Sequence, residues 1–275
     1  MEQAYTEIED YGESVGKKIV GCHWGCSVMT PIRKQHLSLS CAPQVVCDAI
    51  SSKLAILSKR FMKVSLERPN RSLRGQTSCS NRAVVPILFS VQELYDCVDR
   101  EEVSMKLRDA FQYVMLKGIN IEQRYPQAYQ NCQEDCQCAK ISARKITVTG
   151  WKKLNGLQEI LGALEVQPVI GTTKFGSIRT FMCSHPDVIV RLKDAEDTPE
   201  SSSSGTRSHA ILVIGHGYDT DNNLYYVVKN SWGLRWGSHG YMKFEAALLN
   251  HFYIPERVLW KSPEDVRLQY EARDG

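Results

Sequence analysis

The spacing of apolar residues changes along the chain from a helical to an extended pattern. In the first half these residues recur at steps of three and four, which favours helices with one buried face. The pattern predicts a helix over about 43–57, in which Pro43 suits the first turn because the N–H that proline lacks has no helical partner there. It also predicts helix over 91–117 in two pieces, with Gly118 as the C-terminal stop.

After about residue 141 short runs of β-branched and aromatic residues take over, which is typical of strands. The predicted strands are ARKITVTGW, VQPVIGTT, DVIVRLKD, HAILVIGHG, LYYVVKN and GYMKFEA. A helical half followed by a sheet-rich half predicts an α+β fold with two packed lobes. Residues 58–82, where Glu67 is the single acid among many basic residues, and the polar segment 198–207 are predicted to be exposed loops.

The composition narrows the class of partner. The chain has 275 residues, of which 43% are apolar and 24% charged, as in an ordinary globular protein. Its net charge of +3 is too small to indicate nucleic-acid binding. No run of about 18 apolar residues predicts a membrane span, and the polar, acidic N-terminus is unlike a secretory signal. We therefore expect no nucleic-acid or membrane partner, and we take a monomer as the expected state.

The ten cysteines leave both disulfides and metal binding open. Cys22 and Cys26 could supply zinc ligands, and so could Cys132, Cys136 and Cys138. Neither group has the paired CxxC spacing of a structural zinc site. We therefore expect no metal and no cofactor.

The segment SHAILVIGHGYDTDNNLYYVVKNSWG, residues 208–233, predicts a β-hairpin with its turn at YDTDNN. His209 and Asn230 would be near-opposite neighbours at its open end, close enough for a side-chain hydrogen bond. A lone histidine at a strand end more often reaches water. Here Trp232 and Trp236 follow directly, and indole rings beside an Asn–His hydrogen bond would shield it from water.

The stretch from Ser208 to about Phe244 resembles the C-terminal signature of the papain-like cysteine peptidases. In that family a histidine opens one strand and an Asn-Ser-Trp-Gly motif closes the next. LFSVQELYDC, residues 88–97, resembles a segment of the family's helical lobe. The resemblance implies a papain-like two-lobe fold, with a helical N-terminal lobe, an antiparallel β-barrel-like C-terminal lobe and the active-site cleft between them.

The same resemblance divides the chain. It implies a peptidase domain over 21–260, with the helical lobe at about 21–140 and the sheet lobe at about 141–260. An N-terminal extension, 1–20, precedes this domain, and a C-terminal tail, 261–275, follows it.

The family's nucleophile begins a helix six residues after a glutamine, and TPIRKQHLSLSCAP has Gln35 and Cys41 at that separation. By this resemblance Cys41 is the nucleophile, His209 is the general acid and base, and Asn230 orients the imidazole. Gln35 and the Cys41 backbone N–H would form the oxyanion hole, and Trp232 would cover the Asn–His bond. The implied activity is hydrolysis of peptide bonds in a peptide or protein substrate.

The sequence departs from the family's pattern around Cys41, and the glycine-rich segment that normally follows Asp96-Cys97 is missing. Two glycines, a disulfide cysteine and a tryptophan of that pattern are replaced here, by His36, Leu39, Ser38 and Ala42. A second interpretation of Cys41 is therefore a buried structural thiol. A second interpretation of Gln35 is a loop residue without a catalytic role. The alternative function is a catalytically impaired papain-like protein that acts as a binding or regulatory module.

The disulfides that the resemblance implies also do not match. The position expected to pair with Cys97 is Ser38, and no cysteine follows Cys183. Unmatched pairs and the lack of a signal segment favour a reducing, cytoplasmic compartment, whereas members of the family are usually lysosomal, vacuolar or secreted. About 20 residues precede the matched region, so we expect no inhibitory propeptide.

Overall fold

The computed structural model describes residues 28–35, 41–67, 86–98, 105–127, 136, 138, 141, 143–174, 188–193 and 208–261, with side chains in the first helix up to residue 58. The predicted N-terminal extension, the polar segment at 198–207 and all but the first residue of the predicted C-terminal tail lie outside these residues. None of the described helices is both long and apolar enough to cross a bilayer.

The first part of the described chain is helical, with α1 (Cys41–Glu67), α2 (Val91–Cys97) and α3 (Leu107–Lys117). Helix α2 begins where the Oγ of Ser90 accepts the N–H of Glu93 at 3.0 Å. Helix α3 ends at Gly118, whose φ of 70° is a conformation that glycine adopts without steric cost. The predicted break within 91–117 and its glycine stop are both confirmed.

The prediction of an exposed loop over 58–82 is wrong for its first part. Helix α1 runs through residues 58–67 and ends at Glu67. The physical reason is that SKRFMKVSLE contains no glycine or proline, and the first proline after it is Pro69. The rest of the predicted loop lies outside the described residues.

The second part is built mainly from strands. They are β1 (Lys145–Val148), β2 (Trp151–Leu154), β3 (Val169–Lys174), β4 (Ile189–Val190), β5 (Ser208–Tyr218), β6 (Leu224–Lys229), β7 (Tyr241–Glu245), β8 (His251–Pro255) and β9 (Val258–Lys261). A further helix, α4 (Leu157–Leu164), joins β2 to β3, and a short 3-10 helix spans Ala246–Leu248. The sequence pattern did not predict α4, β8 or β9.

Seven of these strands form one sheet in the order β2-β8-β3-β5-β6-β7-β4, and β1 pairs with β9 in a second sheet. All pairings are antiparallel except that of β4 with β7. The combination of separate helices and a largely antiparallel sheet confirms the predicted α+β class. Ile146 of β1 packs in the same apolar cluster as the helices, and the lobe boundary near residue 140 stays a prediction.

Strands β5 and β6 form the predicted hairpin, with a ladder from Tyr218–Leu224 to Leu212–Lys229. A bulge shifts the register once, between Val213 and Gly215. Asn230 therefore lies one residue beyond the last pair, whereas His209 lies three residues before it. The two polar side chains share the open end of the hairpin but are offset instead of directly opposed.

The two faces of the large sheet pack against different apolar clusters. Leu212 and Ile214 of β5 join a cluster with the helices α1, α2 and α3, whereas Val213 joins a second cluster that contains Leu164 of α4. Successive residues of a strand point to opposite faces, so β5 is covered on both sides. Helix α1 consequently lies against β5, which brings the start of the helix to the strand end that carries the histidine.

A buried ion pair fastens α1 to β6. The Nζ of Lys229 lies 2.5 Å from Asp48 Oδ2 and 3.0 Å from Thr30 Oγ1. Burial lowers the pKa of Lys229, and the carboxylate of Asp48 opposes that shift. The lysine is the last residue of β6, so this pair connects the helix that begins with Cys41 to the strand that leads to Asn230.

Candidate active site

Cys41 is the first residue of α1, where partial positive charge at the helix N-terminus favours a thiolate. Its Sγ accepts the backbone N–H of Ala210 at 3.1 Å and forms a side-chain hydrogen bond with His209. The first helix and the first residues of β5 therefore meet at this sulfur. Two of the predicted site residues, Cys41 and His209, are in direct contact.

The hydrogen bonds of Asn230 determine the tautomer of His209. Asn230 Oδ1 accepts the backbone N–H of Ser231 at 2.8 Å, so the carboxamide oxygen, not its nitrogen, faces this side. The same oxygen lies 2.9 Å from His209 Nε2. Nε2 must therefore carry a proton and donate it, which leaves Nδ1 as the ring nitrogen for the hydrogen bond with Cys41.

Trp232 packs on the imidazole of His209, with ring centroids 4.7 Å apart. It in turn meets Trp236 edge-on at 6.0 Å, and Trp236 meets Phe244 at 6.2 Å. Phe244 is fully buried in the cluster behind the sheet. This row of rings links the histidine to the hydrophobic core and limits the tilt of the imidazole.

Gln35 reaches the site through Ser231. Its backbone N–H donates to the Ser231 carbonyl at 2.7 Å, and Ser231 Oγ donates to Gln35 Oε1 at 2.5 Å. Because Oε1 faces Ser231, the amide nitrogen is the end of the carboxamide that is turned away from it. Gly233, with φ of 81°, lets Lys34 pass close by: a Cβ there would lie 3.3 Å from Lys34 Cβ.

The thiol and the imidazole shift each other's pKa. Burial raises the pKa of Cys41, but the charge of His209 and hydrogen bonds from His209 and Ala210 outweigh it, so the pKa lies below 9.0. Burial lowers the pKa of His209, but the charge of Cys41 and hydrogen bonds to Cys41 and Asn230 outweigh it, so the pKa lies above 6.5. Each group favours the charged form of the other, which is the requirement for a thiolate–imidazolium pair.

The greater part of the chain matches a known protein family. The model of the papain family of cysteine proteases matches residues 71–260, which is more than half of the chain. The chain belongs to this papain family. The match contains His209 and Asn230 but begins after Gln35 and Cys41, so the assignment of the nucleophile depends on the geometry above.

Several characterised members of the family are similar in sequence. Mouse cathepsin R is 32% identical over 171 residues, which cover 59% of this chain and 48% of cathepsin R. Rat cathepsin Q is 32% identical over 193 residues, which cover 66% of this chain and 52% of that protein. Papaya chymopapain is 32% identical over 163 residues, which cover 57% of this chain and 42% of the papaya protein. The chain thus spans about half the length of these relatives.

Solved structures of the family share the fold. The proform of the ragweed cysteine protease Amb a 11 superposes with a TM-score of 0.60 at 21% identity, over 83% of this chain and 56% of that one. Bromelain from Ananas comosus, in complex with the E64 inhibitor, superposes with a TM-score of 0.57 at 18% identity, over 83% of this chain and 94% of bromelain.

Sequence reasoning missed two contributors to this papain-like site. Ser231 bridges Asn230 and Gln35, and Ala210 donates its N–H to the sulfur of Cys41. Ser231 lies within the Asn-Ser-Trp-Gly motif, so the motif itself could have indicated it. The role of Ala210 depends only on its backbone, and no side-chain pattern encodes it.

The position that the family's pattern pairs with Cys97 is occupied by Ser38, but Cys97 forms a disulfide with another residue. Cys97 is bonded to Cys136, across a sequence separation of 39. The partner could not be found from spacing, because α3 and a long connection intervene and only the packed fold brings the two sulfurs together. One of the grounds for expecting a reducing compartment is therefore removed.

Of the two cysteine groups that could supply zinc ligands, the structure describes only part of one. Cys22, Cys26 and Cys132 lie outside the described residues. Cys136 and Cys138 come together with Cys97, and the three sulfurs lie within 4.8 Å of one another. These are the described side chains that could hold a metal ion, although two of the sulfurs are bonded to each other.

Proposed function

We propose that this chain hydrolyses peptide bonds through Cys41, His209 and Asn230, with Gln35 contributing to the oxyanion hole. The observation that carries the proposal is one buried imidazole hydrogen-bonded both to a thiol at a helix N-terminus and to a carboxamide oxygen. Family membership supports the class of chemistry, cysteine-type peptidase. The substrate is a peptide or protein.

The reaction follows from the protonation states. The Cys41 thiolate attacks the carbonyl carbon of the scissile peptide, and His209 Nδ1 gives its proton to the leaving amine. The resulting thioester is hydrolysed by a water molecule that the now neutral Nδ1 deprotonates. Asn230 accepts the hydrogen bond from Nε2 throughout the reaction. Nδ1 therefore acts as the proton donor in the first step and as the base in the second.

We expect Gln35→Ala to lower kcat by about 10²–10³-fold with little change in KM, because the lost amide N–H would bind the oxyanion more strongly than the ground-state carbonyl. Steady-state kinetics on a fluorogenic peptide measures this. Ser231→Ala is the matched control: it keeps the amide but removes the hydroxyl that orients it, so a smaller loss is expected. A Gln35→Ala enzyme with unchanged kcat would exclude the oxyanion role.

We expect a bell-shaped dependence of kcat/KM on pH. The pKa of Cys41 is lowered, so the thiolate is lost as pH falls through a value below 9.0, which gives the acid limb. The pKa of His209 is raised, so the imidazolium is lost as pH rises through a value above 6.5, which gives the basic limb. Because the two titrations are coupled, each limb belongs to the pair and not to one residue.

The outcome that would contradict this expectation is a single rise in kcat/KM centred at or above pH 9.0. That profile is typical of an isolated thiol without an imidazolium partner.

A peptide epoxide directed at thiols tests the proposed nucleophile directly. Under reducing conditions we expect modification at Cys41, found by peptide mapping, and its loss in His209→Ala. Cys47 is the internal control, because it lies in the same helix but is fully buried and burial raises its pKa. No modification at Cys41 would contradict the proposal and favour the catalytically impaired binding or regulatory module.

A further inference from the structure

Three sulfur atoms cluster at the C-terminal end of α2, away from the candidate active site. Cys97 and Cys136 form a disulfide, and the Sγ of Cys138 lies 3.0 Å from that of Cys136. Cys138 is a free thiol and is 92% removed from solvent, at 8% relative exposure. Neither sulfur of the disulfide carries a proton. The thiol of Cys138 is therefore in contact with Cys136, one of the two sulfurs of the S–S bond.

Tyr113 is a hydrogen-bond partner of the Cys138 side chain. The hydroxyl of Tyr113 donates to Glu93 Oε1 at 3.1 Å. A tyrosine has one hydroxyl proton, so Tyr113 accepts the S–H of Cys138. Burial beside Glu93 raises the pKa of Tyr113, which keeps that hydroxyl protonated. Glu93 is in turn paired with Lys145 at 2.9 Å.

The other end of the cluster has a partner for a released thiol. Cys97 Sγ lies 3.9 Å from the hydroxyl of Tyr125. That hydroxyl donates its proton to Asp96 Oδ2 at 2.9 Å. Its oxygen can therefore accept a hydrogen bond from the S–H of a released Cys97.

We propose that these three sulfurs form an internal thiol–disulfide exchange site. The Cys138 thiolate attacks Cys136 Sγ, the Cys97–Cys136 bond breaks as the Cys136–Cys138 bond forms, and Cys97 leaves as a thiolate. The proton lost by Cys138 ends on Cys97. One disulfide and one thiol are present before and after, so the step needs no oxidant and no reductant.

The exchange changes what the disulfide restrains. The bond described here ties the end of α2 to a residue 39 positions away, whereas the exchanged bond joins residues two positions apart. The chain between α2 and Cys136 then loses its covalent closure. The structure favours exchange over metal binding at this cluster, because a metal would require the disulfide to be reduced first.

Trapping with a maleimide during incubation tests the proposal on the full chain without a reducing agent. Maleimide caps Cys97 whenever it is released, so the product accumulates even if the exchanged form is a minor species. Peptide mapping of the non-reduced protein is expected to find label on Cys97 together with a Cys136–Cys138 bond. In Cys138→Ser, and in the smaller Cys138→Ala, labelling of Cys97 is expected to slow by about tenfold or more, since the attacking thiolate is gone.

Two controls test for attack by a thiol of a second molecule and by Cys132. The labelling rate is expected to be independent of protein concentration and to persist in Cys132→Ser. Label on Cys138 with none on Cys97 would overturn the proposal, and so would equal labelling of Cys97 with and without Cys138. Because the readout is disulfide connectivity, it does not depend on whether the chain cleaves peptides.

Discussion

His209→Ala is expected to lower kcat/KM for peptide hydrolysis by on the order of 10⁵-fold or more, because the substitution removes the proton donor to the leaving group and the partner that lowers the thiol pKa. Cys41→Ala is expected to lower kcat/KM by a similar factor. Since the two residues act as one unit, the double variant is expected to be no worse than either single variant. Steady-state kinetics with single-turnover measurements of acylation would check all three.

His216→Ala is the matched control for this experiment. His216 lies on the same strand, seven residues further along β5, and is buried to a similar degree, at 7% exposure against 6% for His209. Activity within about threefold of the unsubstituted chain is expected there, because surface and remote substitutions rarely alter the reacting groups. Equal losses in the two histidine variants would mean that the effect is on folding and would contradict the proposed role.

Asp48→Asn is expected to lower the free energy of unfolding by about 3–5 kcal/mol, because it leaves the ammonium of Lys229 buried without its counter-ion. Both side chains are almost fully enclosed, at 5% and 1% exposure. Chemical denaturation with two independent probes would measure the change.

Replacing both members of the pair separates the cost of an orphaned charge from the value of the pair itself. Asp48→Leu with Lys229→Met is expected to recover most of the loss, since two apolar side chains of similar volume need no counter-ion. The exposed pair of Lys152 and Glu159 supplies a surface control, and Lys152→Met is expected to change stability little. A double variant as unstable as Asp48→Asn would contradict this account.

Much of the fold could be predicted from local patterns. The hairpin of β5 and β6 was evident because its β-branched and aromatic runs flank a turn rich in Asp and Asn, and Gly118 marked the end of α3 because glycine alone adopts its conformation freely. The sequence pattern underestimates the length of α1, because the basic composition of 58–82 indicates a loop although residues 58–67 contain no glycine or proline. Strand β9 is not predicted because its apolar run, Val258 to Trp260, is only three residues long and begins three positions after Pro255.

Some features of the candidate site could also be predicted from the sequence, and others could not. Asn230, Ser231 and Trp232 are consecutive, so a motif could indicate them together. The distance between Cys41 and His209 in sequence is 168 residues, and resemblance alone connected them before the fold did. The tautomer of His209 could not be predicted at all, because it depends on which atom of the Asn230 carboxamide faces the Ser231 backbone N–H.

The sequence by itself determined the α+β class, the hairpin and the residue types at the site, since periodicity and turn chemistry act between neighbours in the chain. Only the tertiary structure decided that Cys97 pairs with Cys136, that Cys138 lies against their bond, and that Asp48 neutralises Lys229. These contacts form between segments that are far apart in the chain, and they depend on how α1, α2 and the sheet pack, which no local pattern specifies.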